Sequence, residues 1–539
     1  MSATTVFTAK KIITMDQSVP EATHVAVRDG RILALGGADC AKPWGEFIED
    51  HSLSDAIIMP GFVEGHAHLM AGSMWRYPYV GFHDRIDPDG REWEGIPTAQ
   101  AMIERLRNSQ PGPDGTIFAW GFDPIFLRSE RLNRHHLDQV SKDRPIAVLY
   151  SNFHVMCVNS AALEIAGYTA ETPVEGVVKG EDGQPTGELQ EMASMFPVLR
   201  RMKIDFRALS QSQDALETYA RVATRAGVTT ITDLYSMLED EDLDLMLSIT
   251  GKDDYPLRIV PALGAGAAPE TVADRALALA EKSTENLRLG AVKIMTDGSI
   301  QGWTARVRWP GYVGGHPNGL WNTSPTEIIA LAHEMQRRKV QMHIHVNGDE
   351  AAEVALDALA EAACAHPWPE ARHVLQHCQM MDRALFHKAA KLGVACNLFA
   401  NHLWYFGDQH AALTVGPDRA SRMNALRTAL DEGVSCAIHS DAPVTPLAPL
   451  FTAWCAVNRT TMSGKTLGAH ERVSVVEALE LITIGAARTL HLDAEIGSIS
   501  PGKRADFAIL GEDPVSVVPE KLATIPVLGT VYSGRVHLL

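Results

Sequence analysis

The stretch Ile57–His68 reads IIMPGFVEGHAH and decides how the rest of the chain is organised. It is typical of a buried apolar strand that ends in two histidines separated by one residue. Because side chains alternate faces along a strand, His66 and His68 are expected to point the same way and to grip one metal ion. The pair is weak on its own, since 22 histidines in 539 residues produce about one His-x-His pair by chance. A second pair does occur, at His343 and His345, so the residues around the first pair have to support it.

Composition describes a large globular enzyme. The chain has 539 residues, of which 46% are hydrophobic, and about two to four structural units are expected. A formal charge of −18 argues against nucleic acid or an anionic membrane as a partner, because both require a basic face. No apolar run reaches membrane-spanning length, and the N-terminal residues lack the layout of a secretory signal. Seven cysteines without CxxC spacing favour free thiols in a reducing cytoplasm. A homodimer is expected from base rates alone.

Strand and helix patterns divide the chain into three parts. Residues 1–58 and 491–539 carry strand patterns, with a hairpin signal at Arg28–Arg31, and are predicted to pair into one small β-sandwich domain. Two unrelated edge hairpins are the competing interpretation. Residues 75–205 lack a regular rhythm and are interpreted as an inserted α+β subdomain and lid after the first barrel strand. Residues 59–74 and 206–490 alternate strands and helices eight times, which predicts an α/β fold built on a (β/α)8 TIM barrel.

The barrel prediction locates a candidate site. Catalytic groups of such barrels lie at the C-terminal ends of the strands. The residues at these ends are His66, His68, Asp233, Lys293, His345, His377 and Asp441. Imidazoles, carboxylates and an amine that meet at one mouth indicate a site for one or two divalent metal ions.

Several motifs resemble those of the metal-dependent amidohydrolase superfamily: Pro60–His68, His439–Pro443 and Pro501–Phe507. Three further stretches narrow the resemblance to the amidohydrolase family 3 branch, which includes the N-substituted formamide deformylases: Val292–Ser299, His345–Ala351, and Val158–Leu163 together with Gly183–Gly187. The motifs occur in the right order and span nearly the whole chain.

The resemblance implies a role for each strand-end ligand. Two pairs of histidines would each hold one divalent metal, usually zinc: His66 with His68, and His345 with His377. Lys293 matches a lysine that bridges the two ions once CO2 has carboxylated it. Because a lysine reacts with CO2 only when neutral, Lys293 is expected to be buried with a depressed pKa. Asp441 matches an aspartate that binds the first metal and carries the proton.

The implied reaction is hydrolysis of a C–N bond. A hydroxide held by the metals forms near neutral pH, because bound water drops from a pKa of about 15.7 to about 7, and it attacks a carbonyl. Asp441 takes the proton and returns it to the leaving nitrogen, a step worth about 10²–10⁴ in rate. His154 and Trp303 are candidate substrate contacts. Aromatic residues after strands four and seven favour a small apolar or aromatic N-acyl or N-formyl substrate: Trp303, Trp309, Trp321, Phe399, Trp404, Tyr405 and Phe406.

Other functions use a similar site. A deaminase of amino-heterocycles typically has one metal and a glutamate near a ligand histidine, whereas Asn347-Gly348-Asp349 follows His345 here. A lactone or carbamate hydrolase would use the same hydroxide. A non-catalytic scaffold is the least favoured alternative, because such relatives lose ligands and this chain keeps all of them.

Three positions depart from the family pattern: Gln376 stands where glutamate is frequent, His439 where glycine is common, and Glu64 where aspartate is usual. None of these changes removes a ligand, so they leave the substrate open rather than the class of reaction. His343 lies one layer deeper than His345 and is expected to be a hydrogen-bonded core residue. Asp297 either orients the neighbouring site or caps a turn with Gly298, and the turn is favoured.

Overall fold

The computed structural model describes residues 3–112, 114–127 and 131–539, and its strands and helices are numbered here in chain order. The two chain ends form one sheet of eight strands: β1 (Thr4–Ile13), β2 (Glu21–Arg28), β3 (Arg31–Gly36), β4 (Phe47–Asp50), β5 (Ile57–Pro60), β21 (Phe507–Leu510), β22 (Val527–Tyr532) and β23 (Arg535–Leu538). Strands β5 and β21 join its N-terminal and C-terminal halves through antiparallel pairing. The chain ends therefore build a single β-rich unit, and they are not unrelated hairpins.

This terminal sheet folds back on itself, because its edge strand β3 is hydrogen-bonded to the segment just before β21. The amide of Ile32 donates to the carbonyl of Lys503 at 2.9 Å, and the amide of Gly502 donates to the carbonyl of Ile32 at 2.8 Å. Phe7 and Phe507, from opposite halves, are buried in one shared apolar cluster. The two faces of the predicted sandwich thus belong to one continuous hydrogen-bonded sheet.

Eight parallel strands form the barrel: β6 (Phe62–Glu64), β14 (Val228–Ser236), β15 (Arg258–Gly264), β16 (Ala291–Met295), β17 (Met342–Val346), β18 (Val374–His377), β19 (Ala395–Leu398) and β20 (Cys436–Ile438). Each pairs with its neighbour in chain order, and a bridge between Ala67 and Ala442 brings the first and last strands together. The predicted eight-stranded barrel is confirmed.

The helices of the barrel part pack around these strands: α1 (Met70–Ser73), α7 (Gln213–Arg225), α8 (Asp240–Thr250), α9 (Pro269–Ala280), α10 (Pro325–Arg338), α11 (Asp349–Ala365), α12 (Arg383–Leu392), α13 (His402–Gln409), α14 (Gly416–Ser421), α15 (Leu426–Asp431), α16 (Pro449–Asn458), α17 (Val475–Leu481) and α18 (Ile484–Thr489). Helix α10 illustrates how the sequence starts a barrel helix. Ser324 and Glu327 form a reciprocal capping box around Pro325 at the first turn. Apolar residues of these helices share one core cluster with the strands. No helix of the described residues is long and apolar enough to cross a membrane.

The segment after the first barrel strand has its own five-stranded mixed sheet: β9 (Ile117–Phe122), β10 (Ile146–Tyr150), β11 (Val155–Val158), β12 (Val177–Lys179) and β13 (Pro185–Gln190), with a small hairpin of β7 (Arg85–Ile86) and β8 (Glu92–Trp93). Its helices are α2 (Ala99–Arg107), α3 (Arg134–Asp138), α4 (Ser160–Ala166), α5 (Glu191–Arg201) and α6 (Phe206–Gln211). Apolar clusters cover both faces of this sheet.

One local prediction was wrong. The stretch Ile57–His68 is two strands and not one, because the chain leaves the terminal sheet at Pro60 and enters the barrel at Phe62. Gly61 makes the transfer possible, since a Cβ at this position would lie 2.1 Å from Oγ1 of Thr229. Both histidines therefore lie beyond the end of β6, in the loop that follows it.

Candidate metal centre

Asp441 lies where the first and last barrel strands meet, next to two of the predicted histidine ligands. Its Oδ1 lies 3.4 Å from Nε2 of His66 and 3.4 Å from Nε2 of His68. The backbone enforces this proximity, because the amide of Asp441 donates to the carbonyl of His66 at 3.1 Å and the amide of His68 donates to the carbonyl of Ala442 at 2.9 Å. The structure thus brings together three of the predicted ligands. The His68 side chain is 22% exposed, and the side chain of His66 is 2% exposed, so the site opens towards solvent at His68.

The second predicted pair lies beside the first. The ring of His377 is centred 4.4 Å from the ring of His66 and 4.6 Å from the ring of His345, and its Nδ1 lies 3.7 Å from Oδ2 of Asp441. Nε2 of His345 approaches the carbonyl oxygen of Gly298 at 3.2 Å. Nδ2 of Asn347 lies 3.1 Å from the same ring nitrogen and donates to the Gly298 carbonyl at 2.7 Å, so these loop residues hold the His345 ring in place.

Lys293 lies on β16 and is 1% exposed. Its Nζ has no hydrogen-bond partner among the described residues. Burial lowers the pKa of Lys293 from 10.5 to about 7, with the Asp441 carboxylate acting in the opposite direction. A buried lysine that is partly neutral near pH 7 has the state that carboxylation by CO2 requires.

The protonation states suit metal ligation. Burial lowers the pKa values of His66, His345 and His377 well below their usual range, so these imidazoles are neutral at pH 7. Burial alone would raise the pKa of Asp441, but the neighbouring His68 imidazole, 3.4 Å away, brings it below its ordinary value. Neutral imidazoles beside an ionised carboxylate are the donor set that zinc prefers.

Several buried polar atoms of the site have no hydrogen-bond partner among the described residues: Nζ of Lys293, Nδ1 of His377, Nδ1 and Nε2 of His439, and Oδ1 of Asp441. Buried polar atoms are normally paired, and leaving one unpaired costs about 1–3 kcal/mol. Nitrogen and oxygen atoms without partners that cluster at the C-terminal ends of the barrel strands fit a site that a divalent metal ion completes.

The backbone is strained where these ligands leave their strands. His377, Cys378 and Asp441 have φ values of 75°, 50° and 54°, in the left-handed region that L-residues avoid. Such a conformation costs about 1–3 kcal/mol per residue and persists only where the surroundings enforce it. Strain at the ends of two ligand-bearing segments indicates that ligand direction, and not local stability, sets the backbone here.

Two of the three departures from the family pattern support the ligands. Oε1 of Gln376 accepts from Nδ1 of His66 at 2.8 Å, and Nε2 of Gln376 donates to Nδ1 of His343 at 2.8 Å. The Glu64 carboxylate accepts from the amide and the hydroxyl of Ser440 at 3.0 and 3.1 Å and so ties β6 to the residue before Asp441. His343 is therefore the hydrogen-bonded core histidine that its position predicted.

Two strand-end aspartates hold loops. Oδ1 of Asp233 accepts from the amide of Leu69 at 3.0 Å, which fixes the segment that carries His68. The expectation that Asp297 caps a turn with Gly298 was wrong. Its carboxylate accepts from the amides of Asn347 and Gly348 at 3.1 and 2.9 Å, and thus fixes the loop after β17. Sequence spacing could not show this, because the acceptor and its donors are fifty residues apart.

His154 reaches the centre from the inserted segment. Its ring is centred 5.1 Å from that of His345, and its Nδ1 lies 2.8 Å from Oε2 of Glu191. Asn322 donates to the same carboxylate oxygen at 2.7 Å. Burial alone would lower the pKa of His154, but the Glu191 carboxylate raises it above the usual value. Glu191 was missed from the sequence, where nothing distinguishes it from the other acidic residues of a helix start.

Trp303 lies apart from the metal histidines. It lines a cavity of about 480 Å³ that also includes Arg131, Glu188 and Gln190, and its ring is centred 5.2 Å from that of His316. The described lining of this cavity includes neither His154 nor any strand-end residue of the candidate centre. Trp309 is 93% exposed and does not line the mouth that its position suggested.

The sequence profile of the amidohydrolase family matches residues 52–537. The putative amidohydrolase YtcJ of Bacillus subtilis (strain 168) is 28% identical to this chain over 548 residues, which cover 97% of each protein. N-substituted formamide deformylase of Arthrobacter pascens is 26% identical over 538 residues, which cover 97% of this chain and 96% of the relative. An uncharacterized metal-dependent hydrolase from Pyrococcus horikoshii OT3 has the same fold, with a TM-score of 0.70 at 20% identity over 96% of this chain and 99% of that one.

The profile match includes every strand-end residue of the candidate site, from His66 to Asp441. It confirms the resemblance that the motifs indicated. The chain therefore belongs to the amidohydrolase family and is a hydrolase that acts on carbon–nitrogen bonds.

Proposed function

We propose that this enzyme cleaves the amide-type bond of a small N-acyl or N-formyl amine with an apolar or aromatic group. His66, His68 and Asp441 would hold one divalent ion, with zinc as the expected metal. His345, His377 and a carboxylated Lys293 would hold a second. The observation that carries the proposal is the convergence of neutral imidazoles and one ionised carboxylate around buried atoms that lack partners. A divalent ion bound there would polarise a carbonyl oxygen and make a water molecule acidic.

Asp441 is suited to move the proton. Its Oδ1 faces both His66 and His68 and is the ligand atom, so Oδ2 is left to take a proton from water and to pass it to the leaving nitrogen. Because the pKa of Asp441 is lowered, the carboxylate is ionised and ready to accept at neutral pH.

His154 is suited to hold the substrate oxygen. Glu191 occupies Nδ1 of His154, which leaves Nε2 as the ring atom that can donate to a carbonyl. The raised pKa of His154 favours the charged imidazole, and charged donors make hydrogen bonds about twice as strong as neutral ones. Glu191 would act through His154, as a positioning residue.

The substrate class is supported by one relative and by an aromatic side chain at the centre. A relative over nearly the whole chain is an N-substituted formamide deformylase. The ring of Phe399 is centred 5.8 Å from that of His377 and so places an aromatic face beside the metal histidines.

A hydrolysis screen tests the proposal. Zinc-loaded and manganese-loaded protein would be offered N-formyl, N-acyl and carbamate compounds with aromatic and aliphatic arms, and lactones and amino-heterocycles as comparison. Release of an amine from the N-formyl or N-acyl compounds is the expected result. Ammonia release from amino-heterocycles alone would contradict the proposal and favour a deaminase.

Asp441→Asn tests the proton-transfer role. The amide keeps the shape and a ligand oxygen but cannot take up a proton, so we expect the variant to fold, to retain metal and to lose about 10²–10⁴-fold in kcat. Activity, metal content by mass spectrometry and the thermal unfolding midpoint would be measured together. Asp418→Asn, on a side chain that is 82% exposed, is the matched control. Unchanged turnover in Asp441→Asn would refute the role.

A further inference from the structure

His439 lies inside the metal centre although the family pattern favours glycine there. It follows β20 directly, and its side chain is fully buried. Its ring stacks on that of His66 with centroids 4.8 Å apart and planes at 22°. The ring of His377 is centred 5.0 Å away and that of Phe399 4.7 Å away. The imidazole is thus held between two predicted ligands and one aromatic wall.

Neither ring nitrogen of His439 has a hydrogen-bond partner among the described residues. Four other buried histidines of the barrel part do have partners: His343 on Gln376, His373 on Met342 and Gln336, His402 on His410, and His410 on Thr414. Desolvating an imidazole without a partner is costly, and a core position could have used an apolar residue instead. Burying the two ring nitrogens of His439 is therefore favourable only if at least one of them binds a partner such as a metal ion.

The atoms available to His439 are metal ligands. One ring nitrogen from each of His66, His377 and His439 lies within 4.8 Å of the other two. Bonds of about 2.0–2.1 Å place three nitrogen donors of one zinc ion about 3.3–3.6 Å apart, so the three rings would have to draw together by up to about 1 Å to bind one ion. His66, His68 and Asp441 form a second group by the same measure.

We propose that His439 is a metal ligand and that His66, His377 and His439 form a second, buried binding position for the divalent ion. This inference rests on the proposed metal centre and adds a ligand to it. Oε1 of Gln376 accepts a hydrogen bond from Nδ1 of His66, so only the Nε2 lone pair of His66 is free to bind a metal ion. One lone pair binds one ion, and the two positions are therefore alternatives for the same ion. The same rule applies to His377, which leaves the set with His345 and Lys293 when the buried position is filled.

The two positions differ in whether the Asp441 carboxylate is a metal ligand. In the position with His68, the carboxylate of Asp441 is part of the ligand set. In the position with His439, three neutral imidazoles form the set and the carboxylate is outside it. A glycine at residue 439 would offer only the first arrangement.

Cobalt binding to paired variants tests the inference. Asp441→Asn replaces the anionic ligand of the position with His68 by a neutral and weaker one, so more of the metal that this variant retains should depend on His439. We expect Asp441→Asn/His439→Phe to bind Co²⁺ about 10–100-fold more weakly than Asp441→Asn, or weaker still, with altered visible absorption bands. Phe keeps the ring and its packing and removes both nitrogens. His402→Phe is the matched control, because His402 also packs on Phe399, with ring centroids 4.4 Å apart, and belongs to neither ligand group.

The outcomes separate the two proposals. Equal Co²⁺ affinity and equal spectra for Asp441→Asn with and without His439→Phe would overturn the role of His439 and leave the metal centre standing. Wild-type protein that binds no Co²⁺ would overturn both. If the Phe variant does not fold by circular dichroism, His439→Asn takes its place, with the same loss of affinity expected.

Discussion

At the scale of single residues, Lys293 is the side chain whose chemistry depends most on its surroundings. Its amine is buried and has no hydrogen-bond partner among the described residues, and burial brings its pKa down to about 7. The neutral amine can therefore be reached without strong base, and a carbamate formed on it would supply the negative charge that two cations require.

The carbamate can be observed directly. Protein incubated with ¹³C-bicarbonate and zinc is expected to show a carbamate carbon signal by NMR that is absent from Lys293→Ala. The exposed Lys10, replaced by Ala in the same way, is the control and should leave the signal in place. A signal that persists in Lys293→Ala would show that another amine is carboxylated.

The buried carboxyl group of Asp123 should make the stability of the folded protein depend on pH. Burial raises the pKa of Asp123 from 3.8 to about 7, so the folded protein keeps a proton that the unfolded chain loses above about pH 4. The unfolded state then binds fewer protons, and stability falls as pH rises from about 4 to about 7. Asp123→Asn removes this titration. We expect its unfolding midpoint, relative to wild type, to rise over that range, and a constant difference would contradict the assignment.

At the scale of secondary-structure elements, the junction between the terminal sheet and the barrel depends on one glycine. Gly61 separates β5 from β6, and its amide donates to the carbonyl of Asp506 at 2.8 Å. A Cβ there would lie 2.1–2.8 Å from three atoms of the Thr229 side chain at the start of β14. The two strands can be this close only because residue 61 has no side chain.

Gly61→Ala should therefore push β6 away from β14 and destabilise the protein by about 1–3 kcal/mol, the usual cost of overpacking. Gly37→Ala is the matched control, because a Cβ at Gly37 meets nothing within 4 Å. Thermal unfolding of both variants is the measurement. Equal midpoints would mean that Thr229 can move aside without cost. Since β6 leads into His66, we also expect Gly61→Ala to bind metal more weakly.

At the scale of the whole molecule, one buried ion pair connects the barrel to the terminal sheet. Nη1 of Arg258 on β15 lies 2.8 Å from Oδ2 of Asp506, and the two side chains are 1% and 2% exposed. Arg258 also donates to Oγ1 of Thr230 at 3.0 Å, and Asp506 accepts from the amide of Ser533 at 2.9 Å. The pair thus joins residues of two barrel strands to two segments of the chain's C-terminal part.

Arg258→Ala leaves the Asp506 carboxylate buried without its charge partner, and we expect it to cost about 3–5 kcal/mol of unfolding free energy. Arg422→Ala breaks a surface pair whose side chains are 59% and 82% exposed, and should cost less than about 1 kcal/mol. Denaturant unfolding measures both. Similar losses in the two variants would show that the buried pair does not couple the two parts of the molecule.

Much of this organisation was determined by the sequence alone. The period of the apolar residues after position 209 predicted the barrel, and strand-end position then selected His66, His68, Lys293 and Asp441, because every parallel strand of a barrel ends at the same mouth. Those inferences need only local pattern and one rule of topology. They do not need to know which side chains touch.

Other features were decided only by tertiary structure, because they depend on contacts between residues far apart in the chain. Glu191 gains its partner His154 across 37 residues, and Gln376 meets His66 across 310. In the sequence His439 is only a departure from a motif, whereas the fold packs its ring against the rings of His66 and Phe399. Burial and the absence of hydrogen-bond partners are properties of the folded surroundings, so no spacing in the sequence could have assigned these residues.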